Sequence, residues 1–295
     1  MTKRLLRKEK IDTLIKDVAR DGFLFVAPKV AARQVVYGPV SSAEDIEFDY
    51  IIPGNSFKEF LFPQTEVVAR FKIHREGVDC DGAEVKPKGL VIFGSRPCDA
   101  ASLSSLRSVF AQGPADEFYT KREDRAIVVT VACTSADEAC FCTTVGLSPE
   151  VTGGSDVFLK ETEEGDFIAE AVTEKGRAFI GRYSGAFEDK VEGRPKEVVM
   201  PSPVPDVSIG KIKEWLKDKN HYENPVWAEL ARKCIGCGAC TFSCPTCHCF
   251  DIVDEGAYAD GERRKDWDSC QFPLFTLHAS GHNPRDVQYK RWKNR

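Results

Sequence analysis

Gly89-Leu-Val-Ile-Phe-Gly-Ser-Arg-Pro-Cys-Asp-Ala-Ala-Ser-Leu-Ser-Ser-Leu-Arg-Ser-Val-Phe110 reads as a strand running into a helix. The apolar run from Gly89 to Phe93 has the length of a buried strand, and Ala100, Leu103, Leu106, Val109 and Phe110 then recur at helical spacing. After a charged loop, Ala126 to Val131 supplies a second strand. Strand, helix, strand in that order implies a parallel pair with a right-handed crossover, which puts the C-terminal ends of both strands at one sheet edge. Cys98 lies just past the first strand and Cys133 just past the second, with Cys140 and Cys142 in the same loop as Cys133. Ligands of open α/β sheets gather at that edge, so these four thiols are expected to approach one another.

Outward from this unit, Ile11, Leu14, Ile15 and Val18 mark an opening amphipathic helix that stops at Asp21-Gly22. Segments 22–40 and 66–73 are rich in Val, Phe and Ile and broken by Pro, Gly and Asp, which predicts short strands and turns. Between Val191 and Gly210 the prolines at 195, 201, 203 and 205 interrupt a polar stretch and predict a linker. The expected architecture is an α/β (α+β) domain with a parallel β-α-β core over residues 1–205, followed by a small α-helical, ferredoxin-like domain over 206–295. Asn224-Pro225 predicts a helix start ahead of the stripe Val226, Trp227, Leu230 and Ala231.

With 295 residues the chain has room for about two domains. Apolar residues at 42% and charged residues at 29% fit a globular protein rather than a disordered one. A formal charge of -5 argues against a nucleic-acid binder, which would carry a basic excess. No run is long and apolar enough to span a membrane, and the basic start (Lys3, Arg4, Arg7, Lys8) lacks the apolar stretch of a signal peptide. A cytoplasmic location is expected. There thiols stay reduced, and the twelve cysteines point to metal more than to disulfides.

Those cysteines concentrate in Cys234-Ile-Gly-Cys237-Gly-Ala-Cys240-Thr-Phe-Ser-Cys244-Pro245. This is the spacing of bacterial-type [4Fe-4S] ferredoxins, in which three closely spaced thiolates curl around one cubane and the fourth serves another cluster in two-cluster proteins. Gly236, Gly238 and Ala239 are small enough to let backbone amides approach cluster sulfurs, which tunes the potential. Zinc also uses such cysteine pairs, but a structural zinc site draws its pairs from separated loops. Cys247 and Cys249 extend the run around His248, and Cys270 in Trp267-Asp-Ser-Cys270 is a further candidate ligand. His248 is expected in an outer or surface role, Cys80 as a structural residue of a polar turn, and Asp99 as the cap of the helix that follows it.

The stretch from Cys234 to Asp251 resembles the iron-sulfur electron-transfer subunits of the sulfhydrogenase beta and anaerobic sulfite reductase A type. So do Phe60-Leu-Phe-Pro-Gln-Thr-Glu66, Gly94-Ser-Arg-Pro-Cys-Asp99, Cys140-Phe-Cys-Thr143, and Trp267-Asp-Ser-Cys270 with Gly281-His-Asn283. The resemblance implies an electron conduit between a flavin- and NAD(P)H-binding subunit and a separate catalytic subunit such as a hydrogenase or sulfite reductase. It also implies a second cysteine run downstream, whose last cysteine would share a cluster with Cys234, Cys237 and Cys240 while Cys244 serves the other. No cysteine follows Cys270. Either the chain continues beyond Arg295 in the intact protein, which is the favoured expectation, or Cys247, Cys249 or Cys270 supplies a ligand locally.

Cys98, Cys133, Cys140 and Cys142 are expected to bind an additional [4Fe-4S] cluster. Their alternative is burial as small apolar side chains. Arg96, beside Cys98, is expected to offset the charge of that cluster. No Ser/His/Asp arrangement and no phosphate-binding glycine loop follows a strand, so a non-catalytic electron-transfer role is expected. The competing readings are a zinc-stabilised scaffold and a flavin-binding reductase subunit.

Overall fold

The computed structural model describes residues 3–202 and 208–294. Its strands are β1 (Lys3–Leu6), β2 (Leu24–Ala31), β3 (Gln34–Pro39), β4 (Thr65–His74), β5 (Gly77–Gly82), β6 (Leu90–Ser95), β7 (Ala126–Val131), β8 (Val157–Glu161), β9 (Phe167–Ala171), β10 (Phe187–Glu188), β11 (Phe250–Ala257) and β12 (Asp260–Trp267). The helices are α1 (Ile11–Arg20), α2 (Pro97–Phe110), α3 (Glu117–Asp124), α4 (Glu174–Arg182), α5 (Ile209–Leu216), α6 (Lys219–Tyr222), α7 (Val226–Ala231), α8 (Ala239–Ser243) and α9 (Gln288–Trp292). Among the described residues, no helix is long and apolar enough to cross a membrane.

The chain forms two units, Met1–Phe57 with Lys86–Val207, and Lys58–Val85 with Ser208–Arg295. The first holds a sheet in the order β10-β1-β9-β8-β7-β6-β2-β3. Its centre is parallel: β2 pairs with β6, β6 with β7, and β7 with β8. All six residues of β6 are buried, as a parallel strand covered on both faces requires. Helix α1 places Ile11, Leu14, Ile15 and Val18 in the core with Phe25, Val91, Phe93 and Leu159. Each such aliphatic side chain contributes about 1.5–3 kcal/mol by leaving water. The β6-α2-β7 unit forms the expected parallel pair, so the ends of β6 and β7 share one edge.

The second unit differs from the expected α-helical domain. It is built on a four-stranded antiparallel sheet, β11-β12-β4-β5, with only short helices around it. The segment Lys58–Val85, expected in the first domain, belongs here because β4 pairs along β12. The division expected at residues 205 and 206, with Pro203 and Pro205, lies outside the described residues. This sheet is largely exposed, and ion pairs cross it between directly opposed residues. Arg263 reaches Asp254 at 2.7 Å, and Arg70 reaches Glu262 at 3.0 Å. Cys80 sits within β5, opposite Phe71, and not in a turn.

Candidate metal centres

The cysteine run begins where α7 ends, with the Cys234 amide donating to the Ala231 carbonyl at 2.9 Å. Upstream, Asn224 Oδ1 accepts from the Val226 amide at 2.9 Å, so this asparagine does satisfy a donor at the start of α7. Gly236 and Gly238 have φ of 69° and 74°, a backbone that side-chain-bearing residues rarely adopt. The turn so formed aims the Gly236 amide at Cys234 Sγ, 3.4 Å away. A Cβ at Gly238 would also lie 2.8 Å from the Phe272 ring. Gly238→Ala is therefore expected to destabilise the protein by about 2–3 kcal/mol. A thermal unfolding midpoint equal to that of the wild type would contradict this.

Helix α8 carries Cys240, and the chain leaves it at Cys244 in the extended conformation that a following proline imposes. Here the remaining thiols come together. Cys244 Sγ lies 3.1 Å from Thr246 Oγ1. A hydrogen bond from the Cys247 thiol is the main cause that lowers Cys244 to about 4. The Cys249 side chain hydrogen-bonds that of Cys270, which with burial pushes the Cys249 thiol well up, and Cys247 adds to the push. The pairing of Phe250 with Trp267 across β11 and β12 brings Cys249 and Cys270 into this register. Gln271 joins the two halves of the site, accepting from Cys234 Sγ at 3.7 Å and donating to Cys270 Sγ at 3.6 Å. His248 is half-buried, with its Nδ1 3.1 Å from the Thr246 carbonyl.

Sequence reasoning gave no role to the residues that brace this loop from β4 and the turn before it. Lys58 is only 2% exposed and donates to the carbonyls of Thr241, Cys244 and Cys247 at 2.9, 2.8 and 2.9 Å. Trp267 Nε1 donates to the Phe62 carbonyl at 3.1 Å, and the Phe62 ring packs on Trp267. Lys265 and Glu66 form an ion pair of 3.1 Å with both side chains buried. The motif Phe60–Glu66 is thus the brace of Trp267–Cys270.

In the first unit, Cys98 occupies the first turn of α2, and Cys133 follows β7. Burial first, then the neighbouring Asp99, Cys133 and Cys142, together push the Cys98 thiol up to about 12. Burial raises Cys133 as well. Arg96 pulls it back, while Cys142 and Cys140 push it up. Cys140 is raised by burial and feels Cys142, and its sulfur accepts from the Asp137 amide at 3.5 Å. Cys98 thus feels Cys133 and Cys142, and Cys133 and Cys140 both feel Cys142. All four are half-buried.

Arg96 is 5% exposed, not solvent-facing. It donates to the carbonyls of Ile51, at 2.9 Å, and Tyr50, and stacks on the Tyr50 ring. Asp99 is not the expected cap, since α2 starts earlier, at Pro97. Its buried carboxylate accepts instead from Tyr37 Oη at 3.0 Å.

None of the twelve cysteines forms a disulfide. Among the described residues, no three His, Cys, Asp or Glu side chains close in as they would on a single ion. A cubane asks for something else, four thiolates on four separate corners and small residues beside them. The thiol-rich donor set and the Gly236–Gly238 turn fit that group.

Residues 233–295 match the family model of the 4Fe-4S dicluster domain. The chain is also 31% identical over 286 residues to Sulfhydrogenase 2 subunit beta of Pyrococcus furiosus, a match covering 88% of this chain and 80% of that protein. The chain belongs to the sulfhydrogenase beta subunit family. Its C-terminal region is an iron-sulfur region of the [4Fe-4S] kind, and the chain is an electron-transfer subunit of an oxidoreductase. Within that family frame, the thiols at Cys234–Cys270 lie in the matched iron-sulfur region, and those at Cys98–Cys142 lie outside it.

Proposed function

We propose that this subunit relays single electrons between a flavin- and NAD(P)H-binding subunit and a separate catalytic oxidoreductase subunit, in the cytoplasm. The observation that carries the reading is the turn from Cys234 to Cys244, where two glycines of positive φ aim an amide at a cysteine sulfur. When bound, [4Fe-4S] groups supply one-electron uptake and release.

The chain's own residues would do the rest. Cys234, Cys237, Cys240 and Cys244 would hold iron in the C-terminal region, with Cys247, Cys249 and Cys270 as ligands close by. Cys98, Cys133, Cys140 and Cys142 would hold an additional group. The Gly236 and Gly238 amides would donate to sulfur, and buried Arg96 would lend positive charge beside Cys133. Thiols raised by burial, as at Cys98 and Cys133, give up their protons when a metal takes the proton's place.

The test is anaerobic purification of the full chain. Bound iron and sulfide, broad visible absorption that bleaches with dithionite, and a paramagnetic signal after reduction are expected. Colourless protein holding zinc or no metal would overturn the reading. So would a flavin extracted from the pure chain in place of iron.

A further inference from the structure

The electron-relay reading leaves Lys58 without a role, yet it is among the largest fully buried side chains of the structure. An ammonium has three N–H donors and no acceptor. Here three main-chain carbonyls receive them, those of Thr241, Cys244 and Cys247, each within 2.9 Å. All three belong to one stretch of chain that carries two of the cysteines. The Nζ also stands 4.3 Å from the Trp267 ring centroid, three residues before Cys270. An apolar side chain of similar size would fill this space but could not bind the carbonyls. Removing an ammonium from water is costly, and a surface ion pair would not require it.

We propose that Lys58 is a positioning residue for the cysteine loop: its buried ammonium ties the Thr241, Cys244 and Cys247 carbonyls together and holds a positive charge beside the thiolates. This rests on the electron-relay reading and adds a regulator of potential to it. A group held by thiolates is anionic and becomes more so on reduction, so a fixed neighbouring cation favours the reduced form. A compact ammonium suits three converging carbonyls better than a planar guanidinium does, but a guanidinium keeps the charge.

The test compares wild type, Lys58→Met, Lys58→Gln and Lys58→Arg in the full chain, purified without oxygen. Iron and sulfide per chain are measured first, then the midpoint potential by a redox titration followed by paramagnetic resonance. The expected result is a shift of one centre to more negative potential in Lys58→Met, with Lys58→Arg close to the wild type. Where Lys58→Met does not fold, Lys58→Gln against Lys58→Arg gives the same comparison. A role in packing alone would lower thermal stability and leave the potential unmoved. An iron-loaded neutral variant at the wild-type potential, or Lys58→Arg shifted as far as the neutral variants, overturns the proposal. Wild-type chain without iron overturns the electron-relay reading itself.

Discussion

Cys237→Ser is expected to strip or convert one iron-sulfur group and to lower electron throughput between the partner subunits by on the order of 100-fold or more. Disturbing only the outer partners of a metal ligand already costs about 10–100-fold in affinity or activity, and here the ligand itself changes. Serine is nearly the size of cysteine, but its alkoxide is a hard donor with a high pKa, poorly matched to iron that otherwise sees sulfur. Cys237 is exposed, so the substitution removes no core contact and should not unfold the protein. Iron bound per chain should fall by about one to four atoms, according to whether one corner or the whole cubane is lost. Reactions that a partner subunit performs alone should continue at their usual rates. Wild-type iron content with unchanged coupled turnover would remove Cys237 from the site.

The parts of the fold legible in the sequence are those in which local pattern and final environment agree. Gly89–Phe93 is wholly apolar and Ala126–Val131 is apolar but for Thr130, because β6 and β7 are buried central strands, and the helical spacing between them is the buried face of α2. From that agreement alone Cys98 and Cys133 are expected just past the ends of two parallel neighbours, β6 and β7. The hairpin β11–β12 left no such trace. Its sequence, Phe-Asp-Ile-Val-Asp-Glu-Gly-Ala then Asp-Gly-Glu-Arg-Arg-Lys-Asp-Trp, is dominated by charge, because the sheet is mostly exposed and is tied by cross-strand ion pairs. Strand β1 was hidden for a similar reason. Two of its four residues are basic, and only Leu5 and Leu6 reach the core.

Long-range pairing also decided what could not be read. Nothing between Lys58 and Val85 announces that β4 will align with β12, nearly two hundred residues later, so the sequence alone leaves this segment with the first domain. Lys58 stands between Phe57 and Glu59 in a short 3-10 turn and looks like any surface lysine. Its meaning comes entirely from the carbonyls that meet it. In the cysteine run, by contrast, spacing itself is the chemistry. The glycines beside Cys237 are legible there as small residues that let amides approach sulfur, and the structure adds that both adopt positive φ.

The double variant Cys98→Ala, Cys142→Ala tests the first-unit thiols, and it is expected to remove about four irons and four sulfides per chain. Those thiols come from two different elements, the start of α2 and the turn Cys142–Val145, which local spacing does not link. Cys98 nevertheless feels Cys142 directly as well as Cys133, and a buried guanidinium stands by Cys133 to balance negative charge. Four apolar fillers would have no use for that cation. They would also be expected deeper in the core than the half-buried positions found. If filling space were their role, alanine would cost about 1 kcal/mol per site and leave the iron count untouched. As ligands of a separate group, their loss should add to that of Cys237→Ser, since independent sites contribute independently. A triple variant with the iron content of Cys237→Ser alone, in a chain that still folds, would return these four cysteines to the core.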